Sequence, residues 1–254
     1  MRIEVLGCSG GIGDGRHTTA FLVDDDILLD AGTGVARLSS QALARIDHVF
    51  LTHSHLDHIL SLPLLLDSVA GETGRAGGGA RHSLRCWKSS RITCSTGASG
   101  RISRAFLRRR HPSCAFPPSR SGSRSASASG SSPPSRPATR CRPRAILLRG
   151  GEGSLIFSGD TESHGALWDL AEMTADLRHL LVECAFSDEQ QEIAQASRHY
   201  HPASLAADLA GLRPGPSVWI THLKPGGEAA ILDQLATATP HPFQALREGQ
   251  LLGI

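Results

Sequence analysis

Four residues with metal-ligand chemistry fall within six positions, at His53-Ser54-His55-Leu56-Asp57-His58. They follow DHVFLT, which reads as a buried strand. The turn leaving such a strand can aim several nitrogen and oxygen atoms at one point. Imidazole suits zinc and similar ions, and a carboxylate can bridge or bind a second ion. The plain alternative is a polar turn with chance histidines, and four ligand-type residues in one turn weigh against it. Two further strand ends supply matching pieces. Asp160 follows LIFSG in Ser158-Gly159-Asp160-Thr161, and His222 follows SVWIT in Thr221-His222-Leu223-Lys224-Pro225. Alone, Asp160 would read as a helix cap and His222 as a structural histidine. With the histidine cluster upstream, both are expected at the same metal centre.

The elements that must position these residues come in two blocks. In residues 1–72, RIEVLG, TAFLVD and DILLD are short strands, separated by the turn-rich GCSGGIGDGRHT and by Asp24-Asp25-Asp26. VARLSSQAL suggests a helix, and LDHILSLPLLLDSVA looks helical, with Pro63 an interruption near a helix start. In residues 146–254, ILLRG and SLIFSGD read as a hairpin turning on Gly150-Gly151-Glu152-Gly153. A helix (164–175), the strand HLLVECAF, helices near 188–197 and 202–211, and the strand SVWITH follow. A helix near 227–236 and a last strand near 247–253 complete the series. Strands alternating with helices argue an α/β layered domain.

The chain has 254 residues and is 40% hydrophobic, enough for one sizeable core or two layered halves of one domain. Its first residues read directly as a strand, and no charged stretch leads into an apolar one. No apolar run reaches the roughly 18 residues of a membrane span. A soluble cytoplasmic protein with no membrane partner is the expectation. Cys8, Cys86, Cys94, Cys114, Cys141 and Cys184 show no C-x-x-C pair, so neither a zinc ribbon nor a disulfide framework is signalled. The net charge of +2 hides a sharp division. Residues 73–151 hold no Asp or Glu, yet carry 17 of the 26 basic residues; all 24 acidic residues lie elsewhere. The stretch SRSGSRSASASGSSPPSRPATRCRPR is Arg/Ser/Pro low complexity that cannot form a core. Residues 73–145 therefore fit neither block. An Arg cluster there could serve as a nucleic-acid-binding arm.

THSHLDH, SGDT and THLKP in this order resemble the metallo-β-lactamase superfamily. More narrowly, THSHLDHILSLPLLLDS resembles the signature of class II 3′,5′-cyclic-nucleotide phosphodiesterases, with LLDAGTG (28–34), LLVECAFSDEQ (180–190) and ASLAADLAGL (203–212) also matching. The resemblance covers about 1–72 and 146–254. The related tRNA 3′-end endonucleases usually carry Gly rather than Leu before the Asp and lack THLKP, which favours the cyclic-nucleotide branch. The resemblance implies an αβ/βα sandwich with two divalent metals, zinc being the natural choice, between the sheets. It implies that His53 and His55 bind one ion, that Asp57, His58 and His222 serve the other, and that Asp160 bridges them. Asp57 would also orient the attacking hydroxide. The implied reaction is metal-assisted attack on phosphorus, in line with the leaving 3′-oxygen, giving a nucleoside 5′-monophosphate. Cyclic AMP is the favoured substrate, nucleic acid is not an expected partner, and the oligomeric state stays open, a homodimer included.

The family has one more metal-binding histidine, in a pattern like H-x-V-P-x-x-G-Y, and this chain lacks it. His82 and His111 are the only histidines of the basic segment, and neither has that context. A shifted reading frame accounts for the loss. Joining the third base of each codon to the first two of the next, PATRCRPRAI (137–146) can be read as GHAVPAAGY. At the same offset ITCSTGASGRISR (92–104) can be read as HLFNWRIWPDFS, and RHSLRCWKSS (81–90) as ALPAVLEVL. Third bases are largely free, so one such word could arise by chance; three in phase and in family order are hard to obtain that way. Residues 74–145 are thus read as a wrong-frame translation, with the family histidine lost where Ala138-Thr139 stand.

Several residues carry weaker cases. Asp30 in LLDAGTG could support the metal loop by a hydrogen bond or simply begin a turn. His17, Thr18 and Thr19 could face the site, though surface exposure is the expectation. His199 and His201 in SRHYHP could touch nucleotide or merely belong to a helix-start loop. Cys184 reads as buried packing, and Gly7 to Gly15 as a turn without phosphate-loop spacing. Three functions compete: a cyclic-nucleotide phosphodiesterase, an RNA-processing nuclease of the same superfamily, and a nonenzymatic nucleic-acid binder using the Arg/Ser segment.

Overall fold

The computed structural model describes residues 1–70, 83–86 and 145–254. Two sheets face each other. The first runs in the order β11 (Leu251–Gly253), β1 (Arg2–Gly7), β2 (Ala20–Val23), β3 (Ile27–Leu29), β4 (His48–Leu51) and β5 (Ser83–Cys86). The second runs β10 (Phe243–Ala245), β9 (Ser217–Thr221), β8 (Leu177–Glu183), β7 (Ser154–Phe157) and β6 (Ile146–Arg149). Helices α1 (Ser40–Leu43), α2 (Leu56–Ile59) and α3 (Leu62–Ala70) lie between strands of the first sheet in the chain. Helices α4 (Gly165–Met173), α5 (Gln191–Ser197), α6 (Pro202–Leu209) and α7 (Glu228–Ala238) alternate with strands of the second.

Alternating side chains explain the layering. A strand sends successive residues to opposite faces. In β2, Phe21 and Val23 join a core between the sheets, while Ala20 and Leu22 join the outer core under α3. In β7, Leu155 and Phe157 point between the sheets, and Ile156 points to the core that holds Leu167 of α4 and Leu205 of α6. Three apolar layers result, so both faces of each sheet are covered, and the strands read as nearly continuous apolar runs. This is the expected αβ/βα sandwich, the metallo-β-lactamase fold. No helix among the described residues is long and apolar enough to cross a membrane.

Pairing direction places the site. β3, β4 and β5 are mutually parallel, as are β7, β8, β9 and β10. Parallel strands end at one edge, where α/β sheets bind their ligands. The cluster His53–His58 follows β4, Asp160 follows β7, and His222 follows β9.

Three details depart from the sequence reading. VARLSSQAL is not one helix: a 3-10 turn (Thr33–Arg37) stops at extended Leu38, and Ser39 then caps α1 by accepting from the Ala42 N–H at 3.2 Å. β10, only three residues long, offers too little alternation to be seen in advance. The segment 73–145 was expected to fit neither block, yet Ser83–Cys86 extends the first sheet, pairing with His48–Leu51. An edge strand needs only backbone N–H and C=O groups from its neighbour, so a composition unfit for a core does not prevent it. The sequence also leads one to expect 110–145 to be largely irregular; that stretch up to residue 144, and the site of the lost histidine, lie outside the described residues.

Candidate metal centre

Asp30 organises the loop after β4. It is fully buried, in the left-handed backbone region at φ 55°. One carboxylate oxygen accepts from the Thr52 N–H at 2.7 Å, and the other from the Thr52 hydroxyl at 2.8 Å and from His58 Nδ1 at 2.7 Å. These contacts fix two tautomers. The Thr52 hydroxyl gives its one proton to Asp30, so at 3.0 Å it accepts from His53 Nδ1. With Nδ1 of both His53 and His58 acting as donor, Nε2 of each is the atom left to face a metal ion. Asp30 is thus a support of the metal loop rather than a mere turn residue.

These nitrogens converge on Asp160. Its Oδ2 lies 3.3 Å from His53 Nε2, while its Oδ1 lies 3.1 Å from His58 Nε2 and 3.2 Å from His222 Nδ1. One carboxylate oxygen therefore faces each half of the cluster, as a bridging ligand must. The ligand atoms of Asp57, His58, Asp160 and His222 all lie within 4.8 Å of one another, as do those of His53, His55 and Asp160. The six residues singled out in the sequence are thus brought together in two groups that share Asp160.

The residues fit metal ions. Nε2 of His53 and His58, both ring nitrogens of His222 and Oδ2 of Asp160 are buried without hydrogen-bond partners among the described residues. Unsatisfied buried polar atoms are costly, and a cation satisfies several at once. Their electrostatics are strained to match. Burial alone would lift the Asp160 carboxyl, but His222 and His58 outweigh it and hold it well below the usual carboxylate range. Burial pulls the His58 imidazole down, yet Asp160 and Asp30 win and hold it well above its ordinary value. Burial pushes His222 well down, and burial with His53 lowers His55. His222 itself sits at φ 60°, and such strain clusters at functional sites.

Beside this centre stands a pair that the sequence reading did not assemble. Glu183 ends β8, fully buried, and its Oε1 accepts from His199 Nδ1 at 2.8 Å and from the Thr161 N–H at 2.9 Å. Burial raises the Glu183 carboxyl to about 7 against the pull of His199. Burial lowers His199, but the bond and charge of Glu183 more than reverse this, and the imidazole sits above its ordinary value. The His199 ring stacks on His222, with centroids 5.2 Å apart and planes inclined by 13°. With Nδ1 tied to Glu183, Nε2 is left to act. The available signal was an acid at a strand end, in the same place as Asp160 and His222.

The other weak cases divide. His201 binds Asp188 at 2.6 Å and leads into α6, as a helix-start loop would. His17 is half-buried against Glu248 at 2.9 Å. Thr18 and Thr19 are buried, contrary to the expectation of exposure, because Thr18 and Thr33 exchange backbone-to-hydroxyl bonds of 2.8 Å each. Cys184 is buried as expected. The glycine-rich loop does more than turn. A Cβ on Gly10 would stand 2.5 Å from the His222 carbonyl oxygen, so only glycine lets this loop close on the metal centre.

The family model described as the metallo-beta-lactamase superfamily matches residues 13–102. The chain is thus similar to this superfamily over about a third of its length. A curated relative, Ribonuclease Z of Haloarcula marismortui, is 38% identical over 74 residues, which are 27% of this chain and 24% of that protein. The chain thus matches about a quarter of that relative's length. Among solved structures, the metallo-beta-lactamase fold protein YhfI from Bacillus subtilis has a TM-score of 0.62 at 15% identity, covering 99% of both chains. Unliganded yeast PDE1 has a TM-score of 0.61 at 15% identity, covering 100% of this chain and 99% of its own. These two likenesses carry the fold, and the site chemistry must carry the rest.

Proposed function

We propose that the chain is a phosphodiesterase of the metallo-β-lactamase superfamily that hydrolyses 3′,5′-cyclic nucleotides, cyclic AMP foremost, to nucleoside 5′-monophosphates. The observation that carries the reading is the double-faced Asp160, set between His53/His55 and Asp57/His58/His222 with Glu183–His199 alongside. Two divalent ions would occupy the two groups, and the imidazole-rich donor set favours zinc. Such ions activate water and neutralise charge on a phosphate when bound. The chain's own residues supply the remainder. Asp57, half-exposed and 3.7 Å from His222 Nε2, can accept a hydrogen bond from the attacking water and orient it. His199 hands a proton from Nε2 to the leaving 3′-oxygen, while Glu183 holds the ring and favours its protonated form. Leu56, next to Asp57, is 69% exposed and offers an apolar face beside the centre, where a nucleobase could rest. THLKP and PLLLDS support the same branch of the family.

The Ribonuclease Z match favours a second reading, a tRNA 3′-end-processing-type endonuclease. Both reactions break a phosphodiester at its 3′-oxygen, so the same groups would serve. Binding of nucleic acid through the Arg/Ser segment concerns residues outside those described. Zinc-loaded protein, both the 254-residue chain and its frame-restored form, is incubated with 3′,5′-cyclic AMP and the product separated by chromatography. The expected result is 5′-AMP, abolished by a chelator. Precursor-tRNA cleavage without cyclic AMP turnover would instead establish the endonuclease.

A further inference from the structure

We infer that Lys224 is a substrate-binding residue whose ammonium contacts a non-bridging oxygen of the scissile phosphate. This rests on the phosphodiesterase reading above. Only two of the 26 basic residues are lysines, and Lys224 is the one outside the basic segment. A compact ammonium on a flexible stem therefore stands where the chain otherwise uses Arg. Arg would bring a rigid planar fork, whereas Lys brings a point charge that can adjust its reach.

Its position is fixed from several sides. Lys224 Nζ donates to the Gly10 carbonyl oxygen at 2.6 Å and lies 5.9 Å from the Phe186 ring centroid. Phe186 in turn packs edge-on against His199, with centroids 5.6 Å apart. A Cβ on Gly10 would meet both His222 Cδ2 and Lys224 Cδ at 3.0 Å, which sets those two side chains within about 6 Å of each other. The ammonium thus sits at the junction of the Gly10, Phe186 and His222 loops, on the side of the metal centre where His199 stacks on His222. It forms no ion pair with a carboxylate among the described residues. Gly10 takes one of its three donors. A half-buried cation with donors to spare, beside a centre built for phosphate, calls for an anionic oxygen, and charge-assisted bonds of this kind are strong.

The alternative role is a tether, in which the bond to Gly10 merely holds the loop. Lys224→Met keeps the stem and removes charge and donors; Lys224→Arg restores the charge. Both substitutions are made in the 254-residue chain and in its frame-restored form. Zinc-loaded proteins are titrated with inorganic phosphate by calorimetry, with zinc content and thermal unfolding measured in parallel. The expected result is about tenfold weaker phosphate binding in K224M at unchanged zinc content, largely regained in K224R. Where cyclic AMP is turned over, KM should rise about as much with kcat little changed. Phosphate affinity equal to wild type in K224M, or lost only in step with zinc and stability, overturns the inference. If K224M weakens phosphate binding while no form hydrolyses cyclic AMP, the choice of substrate fails and the role of Lys224 stands.

Discussion

Asp30 Oδ2 lies 2.7 Å from His58 Nδ1, and neither side chain is reached by solvent. Because the same carboxylate also binds Thr52, which positions His53, one residue orients a ligand in each half of the centre. Asp30→Asn keeps the shape but removes the charge and one acceptor. Supporting partners of this kind are worth about 10–100-fold in metal affinity. Competition with a chromogenic chelator should show such a loss for D30N, while circular dichroism shows the fold intact. Unchanged zinc affinity would mean that Asp30 only shapes the turn.

The Glu183–His199 pair predicts a pH effect with a definite sign. The bond and charge of Glu183 hold His199 above its ordinary value, and a proton donor works only while protonated. Activity should therefore fall as pH rises through the pKa of the pair. In Glu183→Gln the amide can still accept from Nδ1, but its charge is gone, so His199 loses its proton at lower pH. The alkaline limb of kcat/KM should move to lower pH by about one unit, with a reduced plateau. A limb that stays in place would remove His199 from the role of proton donor.

Much of this was legible in the sequence because it is local. Short apolar runs bounded by turn residues marked most strands, and four ligand-type residues in one turn marked the centre. Asp160 and His222 could be added because each directly follows a strand. Glu183 escaped notice although it ends a strand in the same way, since a lone glutamate has no spacing partner; only folding brings His199, 16 positions later, onto it. Gly10 escaped for a similar reason. Its requirement comes from the His222 loop, more than 200 residues away in the chain, and not from its own turn. VARLSSQAL misled because propensity speaks for a helix while the chain must break at Leu38 to start α1 on Ser39.

Phe21 and Phe157 join the sheets, their rings edge-to-face with centroids 4.9 Å apart. Both are fully buried. Phe157 also lies three residues before Asp160, so the pair sets the height of the second sheet against the first. Phe157→Ala should cost about 3–5 kcal/mol, read as a lower urea midpoint with little change in slope. A loss below about 1 kcal/mol would show that the inter-sheet core closes over the gap.

The last prediction concerns the reading frame. Restoring the frame across about 74–145 returns a histidine where Ala138-Thr139 stand. Among the described residues, the group of His53, His55 and Asp160 has three protein ligands, while Asp57, His58, Asp160 and His222 make four. Three can hold a catalytic zinc, but a paired site needs both ions at a fixed spacing of roughly 3.5–4 Å. The 254-residue chain is therefore expected to bind one zinc firmly and a second weakly, and the restored chain to bind two. The restored segment also returns core aromatics such as those of HLFNWRIWPDFS. Each buried aromatic contributes about 3–5 kcal/mol, against a total stability of about 5–15 kcal/mol. Thermal stability should thus separate the two chains before metal affinity does. Both are expressed side by side, and thermal unfolding, zinc per chain and cyclic AMP hydrolysis are measured. Higher values of all three in the restored chain support the frame reading; equal stability and equal turnover would make 74–145 a genuine part of the protein.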